Sequence, residues 1–199
     1  PGGKAIDVVN LSLGYYHETP DDKLEDPTLY DLLETLGTCG TAVVCSAGND
    51  ATARELYPAA FAPWRDGDGK PVRDDCLPVV SVGARNPNDT VALFSNTGPW
   101  VRCYDRGAAL LSTIPKFQGG LEPPARTTAD NRVREGIDPD DFSGGFALWS
   151  GTSFAAPLVA GKIAAQLVDA LPAAGAGDSK KAAVSRGWKA VAEATGIGR

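Results

Sequence analysis

Gly151-Thr152-Ser153-Phe154-Ala155-Ala156-Pro157, with the apolar run Leu158 to Leu171 behind it, decides how this chain reads. Leu158, Val159, Ile163, Leu167 and Leu171 recur three to four residues apart, the period of a buried helix face. A small-residue turn leads into that helix and places Ser153 in or next to its first turn. Backbone N–H groups there lack intrahelical partners, and the helix dipole favours negative charge. Pro157 is tolerated so near the start because it removes an N–H that has no partner anyway. Two readings follow. Ser153 is a preferred N-cap residue, or its oxygen attacks a carbonyl while its own N–H steadies the oxyanion.

Working outward, the chain has 199 residues, enough for one domain with a sizeable core. Its 43% hydrophobic and 22% charged content is that of an ordinary soluble globular protein. The formal net charge of −6 argues against nucleic-acid binding, which needs a basic face. No apolar run reaches the roughly 18 residues needed to span a bilayer, and the first residues do not read as a signal peptide. The chain opens on Pro1 and has no Met, so it is expected to be a processed piece or an excerpt. The compartment stays open, secreted or cytoplasmic. Cys39, Cys45, Cys76 and Cys103 lack C-x-x-C spacing, so a zinc site is not expected. Cys45 lies in an apolar strand-like run and reads as a buried free thiol. A Cys39–Cys76 bridge fits if the strands that follow them are parallel neighbours, but spacing does not establish it.

Ile6 to Leu13 reads as a strand, and 15–26 as an acidic loop. Asp26-Pro27 starts a helix that Gly37 stops, with Leu29, Leu32, Leu33 and Leu36 on its inner face. Thr41 to Ala47 is a nearly continuous apolar strand, as in a parallel sheet covered on both faces, and completes a βαβ unit. Tyr57-Pro58 and Asp66-Gly67-Asp68-Gly69 read as turns, and Leu77 to Ala84 as the third strand. Val91 to Phe94 leads into a turn at 95–98. Trp100–Tyr104, Ala108–Thr113 and Phe146–Trp149 read as short strands. Between them, 116–145 turns polar and reads as a long surface loop, either covering a cleft or simply decorating the surface. A linker at 172–180 precedes an amphipathic helix, with Val184, Trp188, Val191 and Thr195 on one face. The expected organisation is one domain over 1–171, the linker, and a C-terminal segment 181–199 packed on that domain.

Together these segments resemble the second half of a subtilisin-like serine protease domain (the subtilase, or peptidase S8, family). Gly151-Thr152-Ser153-Phe154-Ala155-Ala156-Pro157 resembles the nucleophile motif. Val8-Val9-Asn10-Leu11-Ser12-Leu13-Gly14 resembles the substrate-aligning strand, and Val43-Val44-Cys45-Ser46-Ala47-Gly48-Asn49 the oxyanion strand. Val79-Val80-Ser81-Val82-Gly83-Ala84, then Phe94-Ser95-Asn96-Thr97-Gly98, resembles the run that follows. The resemblance covers about Ile6 to Leu171. It implies an α/β, three-layer sandwich with a mostly parallel sheet, of which only the later strands are here. It implies Ser153 as nucleophile and Asn49 as oxyanion donor. It also implies Ser12, Leu13, Gly14, Ser46, Ala47, Gly48 and Thr152 as substrate-contacting residues. The small Ser46, Ala47 and Gly48 would line the pocket for the residue before the scissile bond. Read alone, Asn49 is a turn residue before Asp50, and only the resemblance makes it an oxyanion donor.

The departures matter as much. The family's Asp and His precede the nucleophile in chain order, and neither segment is here. The only histidine, His17, sits in the acidic loop and reads as solvated rather than as a base. The base and its carboxylate are therefore expected upstream, and this chain alone is expected to be inactive. A polypeptide substrate and the N-terminal half of the same domain are the expected partners. That half would also pair with the otherwise unpaired edge of the first strand. No cofactor is expected. Asp66–Lys70 resembles part of a calcium loop but lacks the closing Glu, so a turn is the simpler reading. The competing function is a non-catalytic module that binds extended peptides along its open strand.

Overall fold

β1 (Val8–Leu11), α1 (Pro27–Thr38), β2 (Ala42–Ser46) and β3 (Val79–Arg85) follow one another in the computed structural model, and β4 (Cys103–Arg106) completes a four-stranded sheet. The structure describes residues 6–17, 27–61, 74–116, 126–135, 142–170, 172 and 178–198. The sheet order is β1-β2-β3-β4, every pair parallel, with Val8 opposite Ala42, Val43 opposite Val79 and Val82 opposite Cys103. α2 (Thr152–Val168) and α3 (Lys180–Thr195) come last.

Alternation along β2 sorts the core into two clusters. Ala42 and Val44 join Val80, Val82 and Ala84 of β3 against Ile163 and Leu167 of α2 and Val191 of α3. Val43 and Cys45 face the other way, toward Leu33 of α1 and the ring cluster of Tyr57, Phe61 and Trp100. With both faces covered, β2 has no exposed position, which is why it reads as an uninterrupted apolar run. The architecture is thus α/β in three layers, consistent with a subtilisin-like fold of which this is a part. β1 forms one edge of the sheet.

The helices depart from expectation in instructive ways. α1 passes through Gly37 and ends at Thr38. Gly40 at φ +88 makes the stop: its N–H bonds Gly37 O, and Thr41 N–H bonds Leu36 O, a Schellman closure. Gly37 is instead required by packing, since a Cβ there would lie 2.5 Å from Cys76 Sγ and 2.6 Å from Leu77 O. Leu32 is exposed, while Leu33 carries the buried face. In α2, Leu158 is also exposed, and the buried stripe is Ala155, Ala156, Val159, Ala160, Ile163 and Leu167. Alanines let the helix lie close on the sheet, and counting only large side chains hides them. α3 is capped by Ser179, whose side chain accepts from Ala182 N–H, and by left-handed Gly196. Val191 is buried in the same cluster as the α2 stripe, Val184 is also buried, and Trp188 Nε1 donates to Cys76 O.

The chain divides into two compact units, 1–108 with 151–199, and 109–150. The second holds β5 (Leu110–Thr113), antiparallel to β8 (Phe146–Trp149), and a separate hairpin of β6 (Arg126–Ala129) and β7 (Arg132–Glu135). The expected strand from Ala108 starts at Leu110, because Ala109 is left-handed at φ +53. The stretch read as a loop contains the β6–β7 hairpin. Its two-residue turn, Asp130-Asn131, has both φ values positive, as a type I′ turn requires. Likewise the expected strand at Trp100 begins at Cys103. Trp100 is held off the ladder, its Nε1 donating to Ala53 O and its carbonyl accepting from Ser81 Oγ.

All four cysteines are free thiols: Cys39 is exposed, and Cys45, Cys76 and Cys103 are buried. The Asp26 cap, the Asp66–Lys70 turn, Leu171 and most of the linker lie outside the described residues. Among the described residues no helix is long and apolar enough to cross a membrane.

Candidate active site

Parallel pairing brings the C-terminal ends of β1 and β2 to one edge of the sheet, and α2 begins there. This is the general location of ligands in open α/β sheets. Ser12 Oγ, just past β1, accepts from Asn10 Nδ2 and donates to Ser153 O at 3.0 Å. The turn after β2 carries Gly48 and Asn49 to the same helix start. Thr152 joins the two: its N–H donates to Asn49 Oδ1 at 2.8 Å and its hydroxyl to the same oxygen at 3.0 Å. The Thr152 hydroxyl in turn accepts from Gly48 N–H at 3.0 Å. Thr152 is fully buried, and both roles of its hydroxyl are filled.

That geometry orients the Asn49 amide. A backbone N–H can only donate, so the Asn49 atom facing Thr152 N must be the oxygen. The NH₂ group therefore points away, and Asn49 Nδ2 has no acceptor among the described residues. The N-cap of α2 is Gly151, with no side-chain capping bond, so the capping reading of Ser153 does not hold. Of the first N–H groups of α2, that of Thr152 goes to Asn49 and that of Phe154 to Gly151 O. The Ser153 N–H and hydroxyl have no partner among the described residues. A half-buried hydroxyl, a free N–H and a free amide NH₂ thus share one helix terminus. This set can hold a tetrahedral oxyanion next to an attacking oxygen.

Leu13 and Gly14 are exposed beyond β1. Ser46 and Ala47 are buried and Gly48 is half-buried at φ +99. Leu56, which the sequence did not mark, lies between the two segments. A Cβ on Gly14 would come within 2.6 Å of its Cδ2, and one on Gly48 within 2.9 Å. His17 is not part of this grouping. Its ring packs on Tyr57 at 4.6 Å and Tyr15 at 5.8 Å, its carbonyl accepts from Arg54, and its Nε2 is buried without a partner.

Asn96 was also missed. It is fully buried in the Phe94–Gly98 turn and bonds the backbone on both sides of Asn49. Tyr16 extends the same network to Asp50. Burial, and then the bond to Asp50, push the Tyr16 hydroxyl above its ordinary value. Only the local Phe94–Gly98 turn was visible in the sequence. Among the described residues no group of three or more His, Cys, Asp or Glu could hold a metal ion.

The sequence profile of the subtilase family (Peptidase S8) matches residues 3–191. The chain belongs to the subtilase family. Its subtilase relatives include the Thermophilic serine proteinase of Bacillus sp. (strain AK1), 29% identical over 155 residues, which are 78% of this chain and 26% of that protein. The Intracellular serine protease of Paenibacillus polymyxa is 27% identical over 164 residues, 80% of this chain and 35% of the relative. The Minor extracellular protease Epr of Bacillus subtilis (strain 168) is 31% identical over 109 residues, 54% and 14% respectively. The chain thus spans about a third or less of the length of these relatives.

Proposed function

We propose that this chain carries the nucleophile and oxyanion hole of a serine endopeptidase that works through an acyl-enzyme. Ser153 Oγ attacks the scissile carbonyl, and Asn49 Nδ2 with the Ser153 N–H holds the oxyanion that forms. Ser12, Leu13 and Gly14 align the peptide as an added strand. Half-buried Gly48 borders the residue before the scissile bond, and the buried Ser46, Ala47 and Thr152, expected to touch it, back that wall from within. The observation that carries this reading is the pair of hydrogen bonds from the Thr152 N–H and hydroxyl to Asn49 Oδ1, which turns the Asn49 NH₂ away from Thr152 at the start of α2.

The base and its orienting carboxylate come from another part of the domain. The one imidazole of the chain, His17, is packed between Tyr15 and Tyr57 rather than bonded to Ser153. The part that supplies them also pairs with the β1 edge. The 199 residues alone are accordingly inactive. The absence of a bonded base equally suits a non-catalytic peptide-binding module, and one experiment separates the two. A fluorophosphonate probe is applied to this chain, to the full-length protein, and to its Ser153→Ala variant. Labelling of the full-length protein only, lost in Ser153→Ala, is the expected result. Labelling of neither form overturns the peptidase reading and favours the binding module.

A further inference from the structure

Asn49 sits on a short turn with positive-φ residues on either side of it. Gly48 precedes it at φ +99, and Ala51 follows at φ +53. Such a turn does not hold one conformation unaided, yet an oxyanion donor must be fixed closely in place. The side chain of Asn96, 47 residues further along, meets that need. Its Nδ2 donates to Ala47 O at 2.8 Å, ahead of Asn49. Its Oδ1 accepts from Asp50 N at 3.0 Å and Thr52 N at 3.3 Å, behind Asn49. Its own N–H donates to Gly48 O at 3.0 Å. The remaining Nδ2 hydrogen goes to Tyr16 Oη at 2.8 Å, and the Tyr16 hydroxyl donates to Asp50 Oδ2 at 2.6 Å. Asn96 is 0% exposed, and every hydrogen-bonding position of its amide is used.

We infer that Asn96 is a positioning residue for catalysis, fixing the Asn49 amide through the backbone on both sides, with Tyr16 as its outer support. This rests on the oxyanion role proposed for Asn49. No other side chain type of this size meets the demand. Asp lacks the two donors, Leu lacks donors and acceptors, and Gln places its amide one methylene too far. Tyr16 also lies two residues past Gly14, so the network links the substrate-aligning segment to the oxyanion turn.

The test is a double-mutant cycle on peptide hydrolysis by the full-length protein, with Asn49→Ala, Asn96→Ala and the pair. Asn49→Ala is expected to lower kcat by about 100-fold or more. Asn96→Ala is expected to lower kcat by about tenfold with KM within about twofold, because it misplaces a group that acts in the transition state. In the Asn49→Ala background, Asn96→Ala is expected to cost less than about twofold, since the group it positions is gone. Full additivity of the two losses, or an unchanged kcat in Asn96→Ala, overturns the positioning role. An unchanged kcat in Asn49→Ala overturns the oxyanion reading itself. Should Asn96→Ala fail to fold, Tyr16→Phe enters the same cycle. That change removes only a hydroxyl, and a kcat loss of about threefold that vanishes beside Asn49→Ala is then expected. A loss that persists there overturns the inference.

Discussion

At the scale of single residues, the site depends on groups that leave one donor free by occupying its neighbours. Thr152→Val keeps the shape but strands Gly48 N–H and removes one of the two bonds to Asn49. An unpaired buried donor costs about 1–3 kcal/mol, so a lower urea midpoint is expected, together with lower kcat. Unchanged values for both would count against the lock. Gly48→Ala should be worse, because φ is +99 and its Cβ would meet Asn96 Nδ2 at 2.5 Å. Ser153 and Asn49 stand out in the sequence as candidates because each sits in a local pattern of small residues next to a strand end or helix start. Asn96, Tyr16 and Leu56 do not. The bonds of Asn96 and Tyr16 reach 34 to 80 residues away along the chain, and Leu56 packs between Gly14 and Gly48, so no local spacing encodes them.

At the scale of elements, the strands and helices were readable wherever burial runs along one face. Elsewhere packing overrides local preference. Gly37 looks like a helix stop, yet it lies inside α1, and it is glycine because Cys76 and Leu77 pass too close for a Cβ. Helix propensity alone predicts that Gly37→Ala stabilises by about 1 kcal/mol. The structure predicts the reverse, since the contact with Leu77 O is to backbone and cannot yield cheaply. Thermal unfolding of the variant decides the sign. The β6–β7 hairpin was hidden for the opposite reason. Its turn uses Asp130 and Asn131 in place of the more telling Asn-Gly pair, inside a stretch dominated by Pro, Gly and charge.

At the scale of the whole molecule, the two core faces each hold a buried thiol. Burial raises Cys45, and burial with the nearby Asp105 charge raises Cys103, both from 9.0 to about 12. The unfolded chain therefore releases two protons above about pH 9 that the folded chain keeps. By linkage, stability is full below that pH and falls as pH rises toward 12. Urea midpoints measured between pH 8 and pH 11 should fall, and fall less in the Cys45→Ala, Cys103→Ala double variant. At pH 8, exposed Cys39 should react first with a thiol reagent, and Cys45 and Cys103 only on unfolding. The parallel order and the two-sided sheet were legible from apolar runs joined by a helix. The separate unit at 109–150 was not, because its exposed β5 and β8 strands bury little surface to announce it.

In the proposed oxyanion hole, Asn49 Nδ2 and the Ser153 N–H receive the oxygen formed by attack of Ser153. A crystal structure of the full-length protein reacted with a peptide aldehyde tests it most directly. The expected product is a hemiacetal on Ser153 Oγ whose oxygen lies about 2.7–3.1 Å from both Asn49 Nδ2 and Ser153 N. An adduct on another residue, or a hemiacetal oxygen turned away from Asn49, would contradict it.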